Sequence, residues 1–308
     1  MVDILLATCN SARFLREQLD SIVAQSFSQW HLLIHDAASK DETLQIIGEY
    51  RAEYPEKITF LGSAPATALE NFAFLLENST GDMIMFCDHD DVWFPDKISR
   101  SADLLRDMEK KYGPQTPLCV FTDAIVTDEK LAPLCNSNLK NQHLDPVNGL
   151  SPERLLVQNV PSGNTMLFNA ALKDLLLPFP VKEAVIHDHY TALTAACLGK
   201  IACLNEPTLF YRQHSKNLLG STNYSPVSLI RKLLSPQESV KERFFANCRQ
   251  AKALLELHGD RMPAEMFGML KDFSEMEKLN WFGRKKVLLR HGIRKTGSLR
   301  NIGMFLMI

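Results

Sequence analysis

The chain has no run of about 18 uninterrupted apolar residues, the length a helix needs to cross a bilayer. Its first residues, MVDILLATCN, carry no basic region ahead of an apolar stretch, so a secretory leader is not expected. The seven cysteines are scattered, odd in number and never spaced as Cys-x-x-Cys. This argues against a structural zinc site or a disulfide framework, and suits a reducing compartment where thiols act as small apolar fillers. Glycine and proline (14 and 15 residues) are too few for a disordered chain, and no internal repeat or low-complexity tract is visible. What remains is a globular, cytoplasmic protein of 308 residues, enough for one large α/β domain or a domain with an appendage.

Acid is also missing from one end. From Trp281 onward there are seven Lys or Arg and no Asp or Glu, which leaves 27 basic against 36 acidic residues in the first 280. A basic tail on an acidic body points to an anionic contact. The basic patch is short and carries no recognisable nucleic-acid-binding motif, so nucleic acid is not the expected partner.

The first half alternates short apolar runs with helical periodicity. Asp3–Thr8, Trp30–His35, Lys57–Gly62 and Asp82–Cys87 read as buried strands. Between them, Asn10–Gln25 places Phe14, Leu15, Leu19, Ile22 and Val23 on one helical face, and Glu70–Asn78 reads as a helix. Ser39 to Glu42 fits a capping box that opens another helix. Further strands are expected at Leu118–Asp123, GNTMLF, IACLNE and Thr208–His214, with a helix around Tyr190–Leu198 and a loop from Glu129 to Gly149. Residues 226–292 are helical in period, so a boundary near 215 divides an α/β domain (1–215) from a helical C-terminal region (216–308). Continuous apolar strands alternating with helices imply a mostly parallel sheet covered on both faces. Ligands of such sheets sit beyond the carboxyl ends of the strands. Three strands end in polar residues there: Thr8-Cys9-Asn10, Asp36, and Asp88–Asp91.

The stretch MIMFCDHDDVWFPDK (Met83–Lys97) crowds Asp88, Asp90 and Asp91 at the end of a buried strand. Mg²⁺ or Mn²⁺ would give like charges a reason to be held together, because both ions prefer carboxylate oxygens and keep positions open for phosphates. The alternative is a helix cap, with Asp91 stabilising the segment that follows.

The segment ILLATCNSARFLREQLDSIVAQSF, the acid after the second strand, and GDMIMFCDHDDVWFPDKI together resemble family 2 glycosyltransferases. Within that family the chain is most similar to the group described as rhamnosyltransferases of bacterial surface-polysaccharide synthesis. The resemblance covers about the first 215 residues. It implies a GT-A fold (a Rossmann-like, mostly parallel central sheet), a nucleotide-diphosphate sugar donor linked to dTDP or UDP, a divalent metal (Mn²⁺ or Mg²⁺) and inversion at the anomeric carbon. By position, Thr8, Asn10 and Asp36 fall in the nucleoside-contacting part of the pattern. Asp88 falls near the ribose and metal, and Asp90 falls on the metal. In VIHDHYTAL, Asp188 matches the acidic base that takes the acceptor's proton, with a helix N-cap as its structural alternative. PSGNTMLFN resembles the acceptor-side loop: Gly163 permits close backbone approach, and Asn164 and Thr165 offer hydrogen bonds to sugar hydroxyls, although an ordinary turn would look the same. YRQHSKN resembles a segment that closes over the diphosphate, with His214 as a third metal ligand or a structural histidine, and Arg212 or Lys216 facing phosphate.

Two departures touch the nucleoside. Cys9 stands where the family often has a stacking aromatic residue, and Ala37 and Ala38 replace an acid and a glycine after Asp36. The tail interleaves Trp281, Phe282, Val287, Leu288 and Leu289 with basic residues, as an interfacial helix on anionic lipid does. The resulting expectation is a peripheral enzyme on the inner face of the cell membrane with a lipid-linked glycan acceptor; a helix face packed on the body is the alternative. Two other classes fit in part. A nucleotidyltransferase would need a glycine-rich phosphate loop, which ATCNSARF lacks, and a non-catalytic glycan- or nucleotide-binding module would tolerate loss of Asp90.

Overall fold

The computed structural model describes residues 1–214 and 237–308. Among the described residues nine strands form one sheet: β1 (Val2–Thr8), β2 (Trp30–Asp36), β3 (Ile58–Ser63), β4 (Met83–Cys87), β5 (Val92–Trp93), β6 (Leu118–Thr127), β7 (Pro133–Cys135), β8 (Met166–Asn169) and β9 (Lys200–Arg212). The helices are α1 (Leu15–Val23), α2 (Thr43–Glu53), α3 (Ala68–Glu77), α4 (Lys97–Tyr112), α5 (Asn138–Asn141), α6 (Pro152–Leu155), α7 (Ala170–Leu176) and α8 (His187–Leu198). Four more follow: α9 (Gln237–His258), α10 (Ala264–Ser274), α11 (Trp281–Arg290) and α12 (Ser298–Met307).

The strand order is β3-β2-β1-β4-β8-β6-β9-β5, with β7 paired to β6. Strands β3, β2, β1 and β4 run parallel, as do β6 and β9, while β8 lies antiparallel to both β4 and β6. The sheet is therefore parallel on its first side and mixed beyond β4.

Period-2 alternation divides the core. Ile4, Leu6, Ile34 and Met85 face one side, where they meet Leu15, Leu19 and Ile22 of α1 and Ile98 and Leu105 of α4. Leu5, Leu33, Ile84 and Phe86 face the other side, where they join Phe72, Leu75 and Leu76 of α3 and Tyr190 and Leu193 of α8. That second cluster continues through Phe244, Cys248, Leu270, Phe273, Leu288 and Met304, so the C-terminal helices share an apolar core with the sheet. Each such side chain contributes about 1.5–3 kcal/mol of burial. Asp3 is a buried acid in β1, and the Thr80 and Gly81 backbone N–H groups both donate to it at 2.7 Å.

Several boundaries differ from the sequence expectation. Helix α1 begins at Leu15 because Asn10 adopts a left-handed conformation (φ 48°) and its N–H donates to Ser39 Oγ at 2.7 Å. Ser39 forms no capping box: its hydroxyl donates to Asp36 Oδ1, and α2 starts at Thr43. The capping box of this region is instead at Thr67 and Glu70, at the start of α3. The stretches IACLNE and Thr208–His214 join in one 13-residue strand, β9, whose register with β6 shifts around Asp123. Residues 129–149 contain β7 and α5 as well as loop. Asp91 caps no helix, since α4 begins only at Lys97.

Replacing Thr67 with Ala removes one side of the reciprocal cap and is expected to cost about 1 kcal/mol in denaturant unfolding, without altering the site. A loss below about 0.3 kcal/mol would show that α3 is held by its apolar face alone.

Candidate active site

The register brings the polar strand ends to one edge: Thr8 pairs with Asp36, and Leu6 with Cys87, one residue before Asp88. From the far side of the sheet, β9 ends at Arg212 on the same region, and α8 points its first turn at it.

In the first part of the site, Asp36 is fully buried and accepts four hydrogen bonds. They come from Thr8 Oγ1 (2.8 Å), Ser39 N (2.8 Å), Ser39 Oγ (2.6 Å) and Ser63 Oγ (2.7 Å). Burial alone would raise this carboxyl, but the hydrogen bonds outweigh it and hold it below the usual range. Thr8 is buried with it, so neither side chain is available to a ligand: they build the wall of a crevice rather than line it. Asn10 and Cys9 are exposed at the mouth, and Asn10 Oδ1 accepts from Lys40 N at 2.9 Å. Ala38, standing where the family has glycine, holds a left-handed φ of 55°.

The second part is the acidic turn. Asp90 Oδ2 and His214 Nε2 lie 2.8 Å apart, and the His214 ring stacks on Phe14 with centroids at 5.0 Å. Asp88 is half-buried, and no donor among the described residues reaches its carboxylate. Burial, then repulsion from Asp90 and Asp188, pushes it up to about 8. Asp91 turns inward: it accepts from Asn164 Nδ2 at 2.5 Å and from Arg212 N at 3.3 Å. Its carboxyl is raised by burial and by the neighbouring acids.

Arg212 is only 1% exposed and is engaged within the protein. Its Nε donates to the Asp90 carbonyl (2.8 Å), Nη1 to the Glu129 carbonyl (2.5 Å) and Nη2 to Glu17 (2.8 Å), over the Phe14 ring. It fixes the acidic turn from behind instead of facing phosphate. Lys216 lies outside the described residues.

The third part is where the resemblance puts the acceptor. Asp188 sits in the first turn of α8, where Gly163 N donates to Oδ2 and Asn159 Nδ2 to Oδ1, both at 3.0 Å. Burial raises its carboxyl to about 6 against the opposing Gly163 hydrogen bond. Gly163 is needed for close approach, since a Cβ there would stand 2.5 Å from His187 Nε2. Asn164 and Thr165 are buried, with Asn164 on Asp91 and Thr165 Oγ1 donating to the Ser162 carbonyl at 2.6 Å. In this arrangement they tie the loop to the acidic turn and do not present themselves to a sugar. His187 is packed against Phe72 and Phe86, while His189 Nε2 meets the Leu155 carbonyl, so the His-x-His pair does not converge on an ion.

Sequence reasoning missed Ser63, Asn159, Glu17 and the stacking role of Phe14. Ser39 carried a signal that was read as a cap; Asn159 lies in a loop with no pattern to mark it.

Among the described residues no group of three His, Cys, Asp or Glu side chains is placed to hold a metal ion, so Asp88, Asp90 and His214 do not converge as a three-ligand set. An Mg²⁺ or Mn²⁺ ion shared with a diphosphate needs only one or two protein carboxylates. Asp88, which no described donor reaches, and Asp90 beside it supply that number of carboxylates, while His214 Nε2 is turned to Asp90 Oδ2.

Residues 3–115 match the family model of glycosyl transferase family 2. The match covers 113 of the 308 residues, the part that carries β1 to β4 and the acidic turn. It is 26% identical over 246 residues to the dTDP-rhamnosyl transferase RfbG of Shigella flexneri, covering 73% of this chain and 79% of that one. It is 29% identical over 133 residues to the putative glycosyltransferase EpsE of Bacillus subtilis, covering 43% of this chain but only 48% of EpsE. The chain thus spans about half the length of that relative. Its fold is similar to that of Staphylococcus aureus TarS 1–349 in complex with UDP-GlcNAc, with TM-score 0.57 and 15% identity over 94% and 92% of the two chains. It is also similar to the mannosyltransferase PcManGT of Pyrobaculum calidifontis in complex with GDP-Man and Mn²⁺, with TM-score 0.55 and 18% identity over 99% and 78%. These likenesses show the GT-A fold.

Gly163→Ala is expected to force His187 or the loop aside. It should cost about 1–3 kcal/mol in chemical denaturation, as overpacking does. An unchanged midpoint would mean that the loop yields freely and does not fix Asp188.

Proposed function

We propose that the chain is an inverting, metal-dependent glycosyltransferase that moves a sugar from a nucleoside-diphosphate donor to a hydroxyl of a growing glycan. The observation that carries this reading is the meeting of two unlike acidic groups on one sheet edge. Asp88 accepts no hydrogen bond from the described residues and stands beside Asp90, which meets His214, while Asp188 is held singly by two hydrogen bonds across from them. The crevice built by Thr8, Asp36, Ser39 and Asn10 takes the nucleoside, and the Asp88–Asp90–His214 turn takes the diphosphate end. A divalent cation bound there would neutralise the charge left on the departing diphosphate.

Asp188, when ionised, removes the acceptor proton as its oxygen attacks the anomeric carbon from the face opposite the leaving group. The bond to the diphosphate oxygen breaks as the new glycosidic bond forms, inverting that carbon. Burial and the Gly163 and Asn159 donors keep the carboxylate in one orientation toward the acceptor. The name of RfbG, a dTDP-rhamnosyl transferase, favours a dTDP-linked sugar, with UDP as the other candidate; the resemblance to rhamnosyltransferases of surface-polysaccharide synthesis favours a surface polysaccharide such as lipopolysaccharide as the product class. The acceptor would then be lipid-linked and the enzyme peripheral on the inner membrane face. No helix among the described residues is long and apolar enough to cross a membrane.

Calorimetric titration with dTDP, UDP and GDP, with and without Mn²⁺ or Mg²⁺, tests the donor site. One nucleotide should bind in a metal-dependent manner, and Asp90→Ala should abolish that binding. If none binds under any condition, the transferase reading fails.

Asp188→Asn should lower kcat about 10²- to 10⁴-fold with nucleotide affinity unchanged. The wild-type rate should follow the ionised base: flat above pH 7, and falling about tenfold per unit below a pKa of about 6. A profile flat down to pH 4.5 would remove Asp188 from the base role.

A further inference from the structure

Six large apolar side chains remain exposed on the last two helices. They are Trp281 (45%), Phe282 (76%) and Leu289 (71%) on α11, and Leu299 (60%), Ile302 (54%) and Leu306 (66%) on α12. On α12 the spacing i, i+3, i+7 makes Leu299, Ile302 and Leu306 one outward stripe, opposite the buried Met304. A soluble surface helix normally puts charge in that stripe. Lys285 joins the two helices: its Nζ lies 4.8 Å from the ring centroids of both Trp281 and Phe305, with no hydrogen-bond partner. Lys286 and Arg294 are exposed on the same helix pair and the turn between, and no acid occurs from Trp281 to the end.

This segment is fastened to the acceptor side of the site. Thr296 N donates to Gln158 Oε1 at 2.7 Å, next to the Asn159 that holds Asp188, and Arg300 Nη1 donates to the His143 carbonyl at 3.0 Å. An apolar stripe on two helices that carry cations and no acid of their own, with Asp272 of α10 already paired to Arg290 and His291, on a body with excess acid elsewhere, complements an anionic lipid surface and repels a second copy of the acidic body.

We infer that the α11–α12 face is a docking surface for an anionic membrane, seated beside the acceptor side so that a lipid-linked hydroxyl reaches Asp188 without leaving the bilayer surface. The docking itself stands apart from the transferase reading; only its purpose rests on that reading. Phe282, Leu306 and Ile302 insert among the acyl chains' upper carbons while Lys286 and Arg294 lie among the headgroup phosphates.

The test is flotation of the full chain with vesicles of phosphatidylcholine, with and without one-third phosphatidylglycerol, at low and high salt. The chain should bind the anionic vesicles and release in 0.5 M salt. Removing each charge, Lys286→Gln or Arg294→Gln, should weaken partitioning about fivefold. The double variant Phe282→Ser/Leu306→Ser should weaken it at least tenfold, with unfolding midpoint and nucleotide binding retained because both side chains are exposed.

No binding to anionic vesicles at low salt would overturn the inference, as would binding that these variants leave unchanged. So would a wild-type dimer that the double variant converts to monomer, since the face would then be covered by a second copy. Loss of nucleotide binding with flotation intact would defeat the transferase reading alone.

Discussion

Carboxylate repulsion at the end of β4 governs the rest of the site. Asp88, Asp90 and Asp91 occur within four residues, and Asp188 is brought near them by α8. The protein resolves this repulsion differently for each acid. Asp91 is turned into the interior and tied to Asn164 and Arg212; Asp90 is paired with His214; Asp188 is held by Gly163 and Asn159. Asp88 alone has no donor among the described residues. A half-buried carboxyl without a donor keeps its proton, as its raised pKa shows, until a cation takes the proton's place, and a helix cap needs no such group.

The scaffold that imposes this geometry is rigid for ordinary reasons. Strands β1, β2 and β4 are in register, so their polar ends align to within a residue, and both faces of those strands are buried. A slip of one residue would exchange Leu5 and Leu33 with Ile4 and Ile34 across the sheet. Arg212 adds a second constraint by spanning the acidic turn, the Glu129 carbonyl and Glu17 of α1. A buried guanidinium with three fixed acceptors ties three segments far apart in sequence to one atom cluster.

The strands, the three polar ends and the acid candidates were legible in the sequence because they depend on local periodicity and on motif spacing. What could not be read was the direction of side chains within those motifs. Asp36 and Asp88 look alike in sequence, yet Asp36 is saturated by three hydroxyls and a backbone amide while Asp88 is bare. Asn164 and Thr165 sit in the expected loop but point inward, and Arg212 is in the expected segment but faces the core. Ser63 and Asn159 reach their partners across 27 and 29 residues, a distance at which no spacing rule operates.

The crevice at Asp36, assigned to the nucleoside in the proposed function, shows how the replacement of the expected acid and glycine by Ala37 and Ala38 is absorbed. Asp36 keeps its place because Ser39, Ser63 and Thr8 satisfy it, so the acid is a positioning group whose removal would loosen β1, β2 and β3 together. Ala38 adopts the left-handed conformation that glycine would accept without strain, at a cost of order 1–2 kcal/mol. That strain is tolerated where the Asp36 carbonyl and carboxylate are both anchored, by Ala64 N and by Ser39. With Cys9 and Asn10 left at the mouth, the proposed function would have a base meet short polar groups and backbone there, not an aromatic stack. Under the proposed function, a crevice of that kind would discriminate by shape and hydrogen bonding around a fixed wall, and the choice of nucleotide would reside in residues 9–10 and 37–40 more than in Asp36 itself.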